Sequence, residues 1–301
     1  MNASLVALAL MDGISYAALL FLVAVGLTLI FGVMRIINIA HGSLYAWGGY
    51  FAATLGLAIA KLGLWPGLAL PALFAAALAV GLLLGSLLEI GLLRRILDKD
   101  PILQLLVTFA AFMVLEDLQR LIWGVQPYFV SEVVNQFGTL SVAGVTYTRY
   151  QLLVLPLCAV GVFLGLRWFL GRTALGRQIT AVTHDREVAT AMGVNAARVS
   201  LLTIVIGASL GALGGALSSP TTSLVPGIGA EMMVLSFAVV ATAGLGQIGG
   251  AAVAALMIGI ARSFAIYLVP ELEVLVPYLI MVLVLLVRPQ GMFSVAEARR
   301  I

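Results

Sequence analysis

The amino-acid sequence predicts an all-α polytopic membrane protein with about eight transmembrane helices and one short broken or re-entrant segment. Of the 301 residues, 62% are hydrophobic and 10% are charged, whereas a soluble domain carries about 25% charged residues, and the mean hydropathy is +1.16. The apolar residues also fall in long runs without Asp, Glu, Lys or Arg. A soluble core of this size cannot hide so much apolar surface, so the excess must face lipid.

The uncharged runs mark the spans in chain order. They are 13–34, 36–60, 62–88, 101–115, 150–166, 199–230, 232–261 and 274–287. Since a spanning helix needs roughly 20 mostly apolar residues, the first three runs fit one span each, and the fourth extends through amphipathic residues to give a helix near 102–123. A further uncharged run, 133–148, is polar, which favours an external loop.

The run 232–261 is too long for one helix and contains the glycine-rich stretch 244–250. We therefore predict a short element at 232–243 and a full span at 250–269. About a dozen helical residues cannot cross a bilayer of about 30 Å. The short element should therefore lie inside the bundle, where broken helices are tolerated.

Lys and Arg are distributed unevenly between the connecting segments. If the N-terminus is outside and the short segment changes side, most of the 16 Lys and Arg residues fall on the cytoplasmic side, as is usual in membrane proteins. This distribution predicts an external N-terminus and a cytoplasmic C-terminus. Because no Lys or Arg precedes Arg35, the first run lacks the basic start of a secretory signal peptide and is expected to remain as a span.

The longest charged stretch runs from Arg167 to Arg198 and falls on the predicted cytoplasmic side. Within it, Asp185 is placed to cap a short helix and Gly193 to end it. One interpretation is a solvated loop that obeys the positive-inside rule. The other is a docking helix for a cytoplasmic partner, in which a small alanine face permits close approach and the charges define the register. The residues assigned to this docking role are Asp185, Arg186, Glu187, Ala189, Ala191 and Gly193.

Three ordered blocks resemble a known family of membrane proteins. The segment 185–197 (DREVATAMGVNAA), followed by 206–217 (IGASLGALGGAL), resembles the coupling region of ABC importer permeases. Segments 26–32 (GLTLIFG) and 37–44 (INIAHGSL) are similar to the N-terminal signature of the branched-chain amino acid permeases, and 287–293 (VRPQGMF) is similar to their C-terminal ending. The blocks span almost the whole chain and resemble the LivH-like branch of that family.

The resemblance implies an ABC importer permease architecture, with 1–301 as a single transmembrane permease domain and 171–198 as its cytoplasmic coupling loop. It implies a bacterial inner-membrane protein that transports branched-chain amino acids and holds no cofactor, while ATP is used by partner subunits. The implied partners are a second homologous permease subunit, two ABC ATPase subunits and a periplasmic or extracellular solute-binding protein. Urea, short amides and other small organic solutes are alternative substrates, because the family includes carriers for them.

Polar residues at two span boundaries are candidates for the translocation path or its gate: Asn38, His41, Gly42, Glu116 and Arg120. Charges within a span are functional candidates because lipid disfavours them. Structural alternatives exist for both groups. Asn38 and His41 could hold a re-entrant turn by hydrogen bonds, and Glu116 and Arg120 are spaced to form an ion pair on one helix face.

Gly207, Gly211 and Gly215 recur every four residues on one face of a predicted span. Small residues at this spacing let helices approach closely in lipid, so we predict a helix-packing face. A sliding surface for gating is the alternative interpretation.

Several other function classes are disfavoured by the composition. Cys158 is the one cysteine and there are two distant histidines, so we predict neither a metal site nor catalytic residues. No G-x-x-x-x-G-K-[ST] motif is present, so ATP hydrolysis is assigned to a separate subunit. The net charge of +3 is too small to indicate nucleic-acid binding. An ion-coupled secondary transporter stays an alternative, although its coupling would depend on Glu116 and Asp117.

Overall fold

The computed structural model of the protein describes residues 3–130, 132–142 and 145–293. The chain forms a helical bundle with one small antiparallel hairpin, β1 (Thr139–Val142) and β2 (Val145–Thr148). The helices are α1 (Ala3–Met34), α2 (His41–Lys61), α3 (Ala69–Ile96), α4 (Pro101–Trp123), α5 (Glu132–Phe137), α6 (Tyr150–Arg172), α7 (Ala174–His184), α8 (Arg186–Ala191), α9 (Ala196–Ser218), α10 (Ile228–Ala243), α11 (Ile248–Leu268) and α12 (Leu275–Val287). Helices α3 and α6 include π-helical turns at Gly81–Gly85, Glu89–Leu93 and Tyr150–Val154.

The helix inventory confirms the predicted membrane fold. Among the described residues, six helices are long and apolar enough to cross a membrane, namely α1, α3, α4, α6, α9 and α11. Helices α10 and α12 are shorter apolar helices, and α2 has 21 residues. The run 274–287, predicted as a full span, forms the 13-residue helix α12 behind a 3-10 turn.

Two local predictions differ from the structure. The short element predicted at 232–243 is the 16-residue helix α10, which begins at Ile228. It ends where Gly244 and Gly246 adopt φ angles of 101° and 83°, a backbone region that only glycine enters readily. The predicted external loop 133–148 contains α5 and the β-hairpin, since β-branched residues favour paired strands.

Helix α1 is the centre of the bundle. Its most apolar window is 89% buried, and it packs against α9, α10 and α11. Helices α4 and α6 lie at the periphery, where 22% and 17% of the corresponding windows are buried. Their large exposed apolar side chains suit contact with lipid or with another membrane-spanning chain.

The chain turns back into the bundle after α1. Arg35 has a φ angle of +56°, and residues 36–40 are not helical. The Nε2–H group of His41 donates to the carbonyl oxygen of Val23 at 3.0 Å. Val23 lies in the middle of the uncharged run 13–34 of α1. Helix α2 therefore begins about half-way through the bundle, whereas the sequence predicted a span from residue 36 onward.

Helix α10 begins at the same depth as α2 and ends beside the end of α1. A Cβ atom at Gly42, in the first turn of α2, would overlap the carbonyl oxygen of Gly229, in the first turn of α10. Just after α10, Gly246 lies against Gly32. We call the end of the bundle that carries Arg35 and α8 the basic end. The opposite end, which carries the β-hairpin, is the hairpin end.

Candidate docking loop and transport path

Helix α8 is capped at both ends by the residues that the sequence indicated. The Asp185 carboxylate accepts hydrogen bonds from the backbone N–H groups of Glu187 and Val188, both at 3.0 Å. Gly193 adopts a φ angle of +88°, and the N–H of Val194 donates to the carbonyl oxygen of Ala189 at 3.0 Å. This is the Schellman arrangement, which satisfies the last carbonyl groups of a helix. The caps hold α8 as a defined helix at the basic end.

The exposed face of α8 differs in part from the alanine face that the sequence suggested. Ala189 is 5% exposed and packs inward, whereas Ala191 is exposed. Val188 and Met192 are 59% and 81% exposed, and Glu187 is exposed beside them. The surface available to a partner is therefore apolar at its centre and acidic at one side.

Arg186 lies on the opposite side of α8 and is half-buried. It lines a cavity of about 370 Å³ between the ends of α1 and α3, which Asp98 also lines. The nearby Glu89, in the second π-helical turn of α3, is 1% exposed, and its Oε1 accepts a bond from Arg94 Nε at 3.4 Å. Its Oε2 has no hydrogen-bond partner among the described residues, and Arg186 is close enough to interact with it electrostatically.

Sequence reasoning missed Glu89. A signal was present, because a carboxylate that directly follows the uncharged run 62–88 lies at the border of the hydrocarbon region. Helical periodicity did not show that this side chain turns inward, since the π-helical turns shift the faces of α3.

Asn38, His41 and Gly42 lie together in the closed interior of the bundle. The side chains of Asn38 and His41 are fully buried, and both polar atoms of Asn38 lack a hydrogen-bond partner among the described residues. His41 is held by the carbonyl oxygen of Val23, and Gly42 by the close approach of α10. In this conformation the three residues belong to the re-entrant turn that leads from α1 into α2, and their role in the path stays a prediction.

Glu116 and Arg120 form the ion pair that their spacing allows. Arg120 also reaches Asp117, with 3.4 Å between Nη1 and Oδ1. The three residues lie on the face of α4 that points away from the bundle, towards the hairpin end. The Asp117 side chain is largely exposed. Among the described residues, no hydrogen bond or ion pair joins Glu116 or Arg120 to Asn38 or His41.

The glycines of α9 face the two helices that begin the chain. A Cβ at Gly207 would lie 2.8 Å from the carbonyl oxygen of Gly26 in α1, and one at Gly211 would lie 2.8 Å from the ring of His41. At Gly215 a Cβ would overlap the carbonyl oxygen of Tyr45 in α2. This geometry is that of close helix packing.

Three curated relatives resemble the chain along nearly its whole length. The high-affinity branched-chain amino acid transport system permease protein BraD of Pseudomonas aeruginosa is 28% identical over 97% of both chains. The corresponding LivH protein of Escherichia coli K12 is 26% identical over 96% of both. A probable branched-chain amino acid transport permease, LivH of Methanocaldococcus jannaschii, is 26% identical and covers 94% of this chain and 90% of its own length.

Two further comparisons concern the fold and the family. The solved structure of PsaBC from Streptococcus pneumoniae in complex with Fab contains a chain with the same fold, at a TM-score of 0.52 and 14% identity, covering 94% of this chain and 92% of that one. The family model for the permease component of branched-chain amino acid transport systems matches residues 9–285. The chain therefore belongs to the branched-chain amino acid transport permease family, as its three sequence blocks predicted.

Proposed function

We propose that this chain is the membrane-spanning permease subunit of an ATP-driven importer of branched-chain amino acids. The observation that carries the proposal is the family match over residues 9–285, together with relatives named as branched-chain amino acid permeases along almost the whole chain. The bundle of apolar helices suits a subunit that forms the passage through the bilayer. Urea, short amides and other small solutes are the alternative cargo within this proposal.

The subunit works with separate partners, which the family supports in general terms. We infer a second homologous permease subunit, two ABC ATPase subunits that use ATP, and a solute-binding protein. The weakly buried helices α4 and α6 offer apolar surface for a second membrane-spanning chain. The exposed apolar centre of α8 offers a surface for an ATPase.

The basic end faces the cytoplasm in this proposal, and the N-terminus lies outside. Support comes from the arginines of the loop 171–198, because positive charges favour the cytoplasmic side. Single cysteines at Met192 and at Trp65, introduced after Cys158→Ser, test it because both native side chains are well exposed at opposite ends. A membrane-impermeant maleimide should label Trp65→Cys, and not Met192→Cys, in intact cells. The reverse pattern would contradict the orientation.

Reconstitution tests the transport function directly. The chain would be co-purified with its second permease and ATPases, placed in proteoliposomes and supplied with the binding protein. We expect uptake of radiolabelled leucine that requires ATP and survives an uncoupler. Uptake that continues without ATP but stops with the uncoupler would instead indicate an ion-coupled transporter, and ATP-dependent uptake of urea without leucine would change the substrate.

The electrostatic interaction between Arg186 and Glu89 links the loop 171–198 to the bundle. If an ATPase moves α8, Arg186 transmits that movement to the buried carboxylate of α3, and π-helical turns give α3 a place to bend. We therefore expect Glu89→Gln and Arg186→Gln each to lower leucine uptake by about fivefold. The double variant should be no worse than either single one, because all three lack the same interaction.

The matched control for this pair is Arg95→Gln, which removes an exposed positive charge at the basic end, in α3 and outside the loop 171–198. Its uptake should equal that of the parent. Uptake and ATP hydrolysis would be measured together in proteoliposomes. If the effects of the two single variants multiply in the double variant, the residues act independently and the link does not exist.

A further inference from the structure

The first turn of α10 lies at the mid-depth of the membrane region. Its Gly229 is against Gly42, and the neighbouring His41 bonds to Val23. On α1, Val23 is midway between Asp12 and Arg35, the charged residues that bound its uncharged run. Such a run is about 33 Å of helix, close to the thickness of the hydrocarbon core.

Glu231 belongs to this first turn, and its side chain is exposed. Its backbone N–H donates to the carbonyl oxygen of Gly227. Its carboxylate forms no hydrogen bond or ion pair with any residue that the structure describes. A carboxylate at this depth is strongly disfavoured against lipid, and charges there usually face a water-filled cavity or protein. In the assembled transporter, Glu231 must therefore face the transport path or another subunit.

Arg262, which shares Tyr16 as a neighbour with Glu231, already has two partners. The Arg262 guanidinium stacks over the ring of Tyr16, 4.1 Å from its centroid, and is paired with Glu273. The Tyr16 hydroxyl is buried without a hydrogen-bond partner among the described residues, and Glu231 interacts with it electrostatically. Within the described part of the chain, the Glu231 carboxylate thus has no cationic partner and is open to a ligand.

The rest of the exposed strip of α10 is apolar. Ala230 adjoins Glu231, and Val234, half-exposed, lies one turn further along the same face. A single anion next to small aliphatic side chains complements an ammonium group that is attached to an aliphatic chain. Branched-chain amino acids have this chemistry.

We propose that Glu231 lines the transport path at mid-depth and binds the α-ammonium group of the amino acid as it passes. This inference rests on the proposed function, since the path exists only if the chain is a permease. Occupancy is transient, because a site within a path must release its ligand as well as accept it.

The test uses the complete transporter in proteoliposomes with radiolabelled leucine. Glu231→Gln keeps the shape of the side chain and removes its charge, and we expect leucine uptake to fall by about tenfold at saturating binding protein. Glu231→Asp should retain an intermediate rate because the charge is kept. The control Glu271→Gln removes an exposed carboxylate of the segment between α11 and α12 and should leave uptake unchanged.

Assembly is measured beside uptake. Glu231→Gln should co-purify with the second permease subunit and ATPases in parental amounts. Loss of the second permease subunit would show that Glu231 pairs with a cation of that subunit, and parental uptake would show that the carboxylate is not in the path; either result overturns the inference. If the parent itself takes up no leucine, the proposed function fails before any variant is compared.

Discussion

Met192→Asp should uncouple ATP hydrolysis from transport. We expect leucine uptake in the reconstituted importer to fall by at least about tenfold. Met192 and Val188 are one helical turn apart and are 81% and 59% exposed, so they form the apolar centre of the docking surface. Apolar side chains at the centre of an interface are buried when the partner binds. An aspartate there would be buried without a partner, which is costly.

The measurement is the number of ATP molecules hydrolysed for each leucine taken up. Met192→Asp should raise this ratio while the variant still inserts into the membrane and purifies. The matched control is Gln178→Asp, which adds the same charge at an exposed position of α7. An unchanged ratio in Met192→Asp would show that α8 does not contact the ATPase.

Gly215→Ala adds one methyl group and should lower the stability of the bundle strongly. A Cβ at Gly215 would overlap the carbonyl oxygen of Tyr45 and would lie 3.0 Å from the backbone nitrogen of Gly49, so α9 and α2 would have to separate. Backbone atoms cannot move aside as a flexible side chain can, and overpacking costs about 1–3 kcal/mol or more. We expect the melting temperature to fall by about 5 °C or more.

Gly161→Ala is the matched control, because a Cβ at Gly161 in α6 would meet no atom within 4 Å. The same methyl group should there leave the melting temperature of the detergent-purified chain unchanged or slightly higher, since alanine favours a helix over glycine. Equal melting temperatures for the two variants would contradict the packing role of the α9 glycines. Uptake by Gly215→Ala at low temperature would then test the gating alternative.

Local chemistry made part of the structure predictable. Lipid favours long uncharged runs, so the end of α1, the start of α4 and, within a few residues, the start of α9 follow from composition, whereas α1 begins ten residues before its run and α9 ends twelve residues before the end of its run. The ends of α8 were predictable because capping is local. Asp185 and Gly193 act on backbone groups within a few residues of themselves.

The candidate site was less predictable because its side chains are oriented by distant residues. Ala189 turns inward and Val188 outward only because α8 packs against the ends of other helices. Glu89 and Glu231 looked like ordinary charges beside or between uncharged runs, and no spacing rule places the first beside Arg186 or the second on an exposed face.

The apolar runs predicted the membrane fold, the cap residues predicted a short helix in the longest charged loop, and the resemblance of three sequence blocks indicated the family. Depth was decided in three dimensions: α2 starts at mid-membrane because His41 reaches the carbonyl oxygen of Val23, and α10 starts beside it because Gly42 and Gly229 leave room for both backbones. A hydropathy run records which residues avoid water, but the position of a helix along the membrane normal depends on contacts between segments far apart in the chain.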